Sequence, residues 1–286
     1  MPATARGLMP LVCRTALAAL CLVLASCRGV LLHEVRSSYS HIQVFESGTE
    51  RVLYFAGEGN GKVVETLIDM RQPHLLQHAY SRAAMLAFLY RPQAASCLLI
   101  GLGGGALVHF INHHFPEVRL DVVEIDPAVV EVAREFFGTT TGPRTRIFVA
   151  DGRDYLERAA ERYDLILIDA HLHPGERTDS SGHPLSLKSE AFFRSIRERL
   201  QPAGVAMFNV LAGRDADGYI RGIREAFPAT DLYRPHGTGN LIVFAAPRDP
   251  LADEAQLRER AREFDRWGGY GFSFERLLEA RDQQSR

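Results

Sequence analysis

The chain has 286 residues, 46% of them hydrophobic and 24% charged, with a formal net charge of −2. That length suits one large domain or one domain with a small companion. The near-neutral balance gives no sign of the clustered basic face a nucleic-acid binder needs, and the arginine-rich run LRERAREFDR alternates with acids, as a solvated helix face does.

Residues 1–27 read as a leader. Arg6 and Arg14 precede an apolar stretch from Ala16 to Ala25, short for a bilayer span but suited to a secretory signal. The stretch runs into Leu24-Ala25-Ser26-Cys27, which resembles the bacterial lipobox, where a small residue precedes a cysteine that takes lipid. The resemblance implies an extracytoplasmic lipoprotein anchored to the membrane through Cys27. An uncleaved anchor that also uses Leu8 to Val12, and a cytoplasmic chain with a mis-assigned start, are the alternatives. Three of the four cysteines (Cys13, Cys21, Cys27) fall in the leader, so Cys97 has no disulfide partner in a mature chain and reads as a small core residue.

A β-rich segment with a helix is expected over 28–92. HIQVFES and RVLYFAG flank Gly48-Thr49 as a hairpin, and KVVETLID adds a strand. Apolar spacing at Leu76, Ala79, Ala83 and Leu86 predicts a helix from about Leu75 to Leu89. Over 93–250 short apolar strands alternate with helices. The strands are CLLIG, LDVVEID, RIFVAD, YDLILIDA and GVAMFNV, closed by TDLYRP and NLIVFAAP. Pro127 and Gly138 bracket one of the helices. A polar loop spans His171 to Leu187, and 251–286 reads as a helical tail. This alternation predicts an α/β fold, a mostly parallel seven-stranded sheet covered on both faces, with ligands at its carboxyl edge.

Four consecutive strand ends carry polar chemistry. The first runs into Gly101-Leu102-Gly103-Gly104-Gly105, where backbone can approach a ligand and the next helix offers its N–H groups. The second ends Val123-Glu124-Ile125-Asp126, with an acid placed to accept ribose hydroxyls. The third ends Asp151-Gly152 and the fourth Asp169. Helix capping explains one such acid; three acids and a glycine turn point to a nucleoside site. A nicotinamide enzyme accounts for the first two ends only.

This order resembles the class I S-adenosylmethionine-dependent (Rossmann-like) fold. With the preceding β-rich segment, Tyr80-Ser81-Arg82, LLIGLGGG, DVVEID, the Asp-Gly step and YDLILIDA, it is similar to the spermidine synthase family of polyamine aminopropyltransferases, from about Ser38 to Pro247. The resemblance implies a nucleoside on Gly101, Gly103, Gly104 and Gly105. It puts Glu124 and Ile125 at the ribose and Asp151 and Gly152 at the adenine. Asp169 becomes the proton acceptor, with Tyr80 beside it. The implied donor is decarboxylated S-adenosylmethionine or S-adenosylmethionine itself, and the partner a small amine or other acceptor. No metal is expected; a homodimer is a possibility the family raises.

The departures matter. Where the family carries an aspartate in the glycine turn this chain has Gly104, and where it has a second aspartate after the fourth strand this chain has Leu172. Glu65 and Asp179 are the candidate replacements. His171, His173 and His183 could bind zinc but read as solvated loop residues. Three readings stay open: aminopropyl transfer, methyl transfer, and a non-catalytic, membrane-tethered nucleoside-binding protein.

Overall fold

The computed structural model describes residues 29–57, 61–248 and 251–282. Cys27 and the rest of the leader lie outside them. The N-terminal segment is a four-stranded antiparallel sheet in chain order: β1 (Val30–Arg36), β2 (His41–Ser47), β3 (Glu50–Ala56) and β4 (Lys62–Asp69). Gly48, at φ +63, makes the two-residue hairpin turn with Thr49. β1 was not expected from the sequence. It is an edge strand whose first three residues are exposed, so it has no clean alternation, and its pairing with β2 defines it.

The expected helix over 75–89 is two short pieces, α1 (Ala79–Ala84) and α2 (Ala87–Tyr90). Met85, Leu86 and Phe88 donate to the third residue back, which tightens the turn between them. Every residue from Ala83 to Tyr90 is buried, so the segment threads the core rather than lying on it.

Seven strands form the main sheet in the order β10 (Ala229–Tyr233), β11 (Asn240–Ala246), β9 (Leu200–Leu211), β8 (Tyr163–Ile168), β5 (Ser96–Ile100), β6 (Arg119–Glu124) and β7 (Thr145–Val149). β5 to β9 pair in parallel, and β11 runs antiparallel to both its neighbours. The greasy strands follow from burial on two faces. Cys97, Leu99, Leu165 and Leu167 enter one core layer, whereas Leu98, Ile100, Ile166 and Ile168 enter the other. Each such side chain contributes roughly 1.5–3 kcal/mol of burial.

The covering helices are α3 (Ala106–His114), α4 (Pro127–Phe137), α5 (Gly152–Arg158), α6 (Glu190–Arg199) and α7 (Ala216–Ala226). Asp126 caps α4 ahead of Pro127, and Gly138 ends it. Two further helices, α8 (Glu254–Trp267) and α9 (Phe274–Leu277), follow. They are not a loose tail: Leu257, Ala261, Phe264 and Phe274 join the same core layer as Leu99. An ion pair between half-buried Arg281 and buried Asp231, which also accepts from the Tyr90 hydroxyl, ties this segment to β10. From β5 the sheet grows one way to β6 and the other way to β8, so a crevice opens between the carboxyl ends of β5 and β8.

Candidate active site

A cavity of about 380 Å³ fills that crevice, roofed by β4, α1 and the loop after β8. The size suits one small organic ligand. The backbone at its floor is tight. Gly101 has φ +99, and a Cβ there would lie 2.1 Å from the carbonyl oxygen of Asp169, so only glycine lets β5 and β8 end side by side. Gly152 likewise has no room for a side chain, because a Cβ would meet Ile100 at 2.6 Å.

The lining brings together Tyr80, Gly101, Gly103, Glu124, Ile125, Asp151, Gly152, Asp169 and Glu65. Glu65 reaches the cavity through a bulge. Leu53 pairs with Thr66 and Tyr54 with Val64, so Glu65 is the extra residue of β4. A bulge of this kind re-aims a side chain. Burial, with the nearby charges of Asp169 and Glu124, pushes its carboxyl up to about 8. Burial pushes Asp169 up to about 6 against the opposing bond from Asn209. Burial and the charges of Asp169 and Glu65 push the Tyr80 hydroxyl well above its ordinary range, so it stays protonated.

Glu124 is held by the backbone. Its Oε2 accepts from Leu102 N–H at 2.9 Å and its Oε1 from Asp126 N–H at 3.0 Å. Burial raises its carboxyl despite those bonds. Asp151 does cap a helix, accepting from Arg153 N–H at 2.8 Å, while also lining the cavity. Ser37 donates to Asp126, which ties the N-terminal sheet to this rim.

Three expected residues sit elsewhere. Gly104 and Gly105 lie behind the lining. Gly104 gives its N–H to Thr66 Oγ1 at 2.8 Å, and a side chain there would meet Thr66 and Phe137. Gly105 caps α3 and packs against Thr139. Asp179 does not face the cavity. Its carboxylate accepts from Lys188 Nζ at 2.6 Å and from the N–H groups of Ser181 and His183. Burial would raise that carboxyl, but those bonds outweigh it and hold it below the usual range. The loop spends this acid on its own turn, so it is not a replacement for the residue at the Leu172 position.

The histidines are not the solvated set expected. His183 is buried, 3.1 Å from His171 through their Nε2 atoms, while His173 packs against Gly57. Burial holds His171 down at about 3, so it is neutral. Among the described residues no group of three His, Cys, Asp or Glu is arranged to hold a metal ion. Sequence reading also missed Asn209, whose Nδ2 donates to Asp169 Oδ1 at 2.7 Å. The signal was an amide inside the apolar run GVAMFNVL. Arg177, stacked 4.9 Å over the Tyr39 ring at the mouth, was missed as well.

Residues 78–210 match the family described as the spermine/spermidine synthase domain. A polyamine aminopropyltransferase of Chromobacterium violaceum is 31% identical over 237 residues, covering 82% of this chain and 86% of that protein. The eEF1A lysine and N-terminal methyltransferase of Mus musculus is 32% identical over 204 residues, 66% of this chain; the match spans only 29% of that protein's length. A spermidine synthase solved in complex with the transition state analogue AdoDATO shares the fold, with a TM-score of 0.66 at 22% identity over 87% of this chain and 84% of that one. Human methyltransferase-like protein 13, solved in complex with SAH, gives a TM-score of 0.61 at 28% identity, over 66% of this chain and 92% of that one.

Proposed function

Because the chain belongs to the spermine/spermidine synthase family, we propose that it moves an aminopropyl group from decarboxylated S-adenosylmethionine to a small amine. The observation that carries this reading is the set of acids turned into one cavity, with Asp169 fixed through one oxygen by Asn209. A sulfonium donor and an amine acceptor are both cationic, and an enclosed acidic lining attracts both. In this reading Gly101, Gly103, Glu124, Ile125, Asp151 and Gly152 hold the nucleoside. Glu124 takes the ribose hydroxyls, because its carboxylate is already oriented by two backbone N–H groups.

The chemistry then falls to Asp169. Its Oδ2 has no hydrogen-bond partner among the described residues, whereas Oδ1 is held. The amine nitrogen attacks the propyl carbon next to sulfur. The C–N bond forms as the C–S bond breaks, sulfur keeps the electron pair, and the surplus amine proton passes to Asp169. Tyr80, neutral at every working pH, orients the amine by hydrogen bonding. With the leaving group already good, positioning supplies much of the acceleration.

A second reading, methyl transfer from intact S-adenosylmethionine, has its own support. The glycine turn carries no acid to repel a donor carboxylate, and Arg177 at the cavity mouth makes no ion pair among the described residues. Product analysis with each donor and a panel of small amines separates the two. Methylthioadenosine is expected from the decarboxylated donor. S-adenosylhomocysteine from the intact donor would replace the first reading with the second, and no turnover of either would leave a nucleoside-binding role.

We propose in addition that Cys27 carries lipid and tethers the chain outside the cytoplasm, on the strength of the Leu24-Ala25-Ser26-Cys27 sequence. Palmitate labelling of the full chain is expected, and to vanish in Cys27→Ala. Equal labelling of both would remove the anchor.

A further inference from the structure

We propose that Asn209 is a positioning residue for Asp169, and that Asn240 holds Asn209 in the orientation this requires. The inference rests on the reading of Asp169 as the group that takes the amine proton. β8 pairs with β9 up to Ile168 and Phe208, so Asp169 and Asn209 are the next residues on adjacent parallel strands. Their side chains meet at 2.7 Å, Nδ2 of Asn209 donating to Oδ1 of Asp169. On the far side, Asn240 of β11 donates its Nδ2 to Asn209 Oδ1 at 2.8 Å, and Thr238 donates its hydroxyl to Asn240 Oδ1. Every donor in this chain points toward the carboxylate. An amide turned over at either asparagine would put oxygen against oxygen, so the neighbours dictate which end of Asn209 faces Asp169.

The relay is buried, with Asn209 at 3% and Asn240 at 8% exposure. It is also braced from the loop. His183 Nε2 accepts the Leu211 N–H at 3.2 Å, which holds β9 where it runs past the end of β8. The chemical effect is twofold. One carboxylate oxygen is immobilised, and the donated hydrogen favours the ionised form in a place where burial opposes it. The other titratable groups facing Asp169 act the opposite way or are neutral: Glu65 from β4, Tyr80 from α1, and the His171–His183 pair from the loop behind Asn209.

The test compares the full chain with Asn209→Leu, Asn209→Asp and Asn240→Leu. Two quantities are read: the carboxyl titration of Asp169 by carbon-13 resonance, assigned with Asp169→Asn, and the acid limb of kcat/KM. In Asn209→Leu both midpoints are expected to move up by about one pH unit or more, since a charge-assisted donor is lost. Asn209→Asp should split the titration into two steps, the upper one above the wild-type midpoint, because two touching carboxyls share one proton. Asn240→Leu should give a smaller shift in the same direction, with kcat falling more than donor affinity. Coincident titrations of wild type and a folded Asn209→Leu protein would overturn the proposal. If the wild type transfers no aminopropyl group, the resonance titration decides alone. A shifted midpoint then supports the relay while the transfer reading falls, and an unshifted one removes the relay too.

Discussion

Asp169→Asn should slow amine transfer by about a thousandfold while the protein stays folded, the middle of the range for losing a positioned general base. The substitution keeps the shape of the side chain and the acceptor oxygen that Asn209 Nδ2 engages at 2.7 Å. What it removes is the lone pair that takes the amine proton. The folded-state carboxyl sits at about 6, above its ordinary 3.8, because burial disfavours the charge. The ionised form therefore costs stability at neutral pH, and the asparagine variant should melt no lower than the wild type. The same shift predicts the acid side of the wild-type pH profile. Transfer needs the ionised carboxylate, so kcat/KM should fall about tenfold per pH unit below about 6. Steady-state methylthioadenosine release, with a melting curve on the same sample, checks both. A variant within threefold of wild type, properly folded, would take the proton-accepting role away from Asp169.

Much of this arrangement was legible in the sequence, for identifiable reasons. A parallel strand covered on both faces must be apolar at every position, so Leu165 to Ile168 announced a central strand and Asp169 its carboxyl end. Glycine turns and helix caps are local chemistry, and Pro127 and Gly138 bracket α4 as their types require. What escaped was set by partners distant in sequence. β1 exists because β2 offers it an edge. Asn209 and Asn240 lie 31 residues apart and have meaning only once β11 is known to pair with β9. Asp179 looked available because a sequence does not show that Lys188 and two N–H groups claim it. Glu65 was legible as an acid, but not as the extra residue of a bulge, which is what turns it into the cavity.

Glu65→Gln should make the ligand-free protein more stable and the liganded one harder to form. In the fold this carboxyl is raised from 4.5 to about 8 by burial and by the charges of Asp169 and Glu124. The unfolded chain loses its proton near 4.5 while the folded chain keeps it, so the stability that the neutral form contributes is fully present below pH 4.5. It is lost progressively as pH rises toward 8. Each pH unit in that window costs about 1.4 kcal/mol, so by pH 7 the wild type has given up as much as about 3 kcal/mol that a glutamine, which does not titrate, would retain. Denaturant titrations from pH 6 to 9, above the range in which Asp169 titrates, should therefore show a downward slope in the wild type that flattens in Glu65→Gln. Binding reverses the advantage. A cationic ligand beside Glu65 favours its ionised form, so at pH 7 complex formation should expel a proton, seen as a binding enthalpy that changes with the ionisation enthalpy of the buffer. Glu65→Gln should bind the donor and amine more weakly and expel little or no proton. Parallel stability curves and equal proton release in the two proteins would mean that Glu65 is not the strained acid of the cavity. The opposite result would identify a residue that lowers the stability of the empty protein and is relieved when a cation arrives, the trade expected of a binding site built before its ligand.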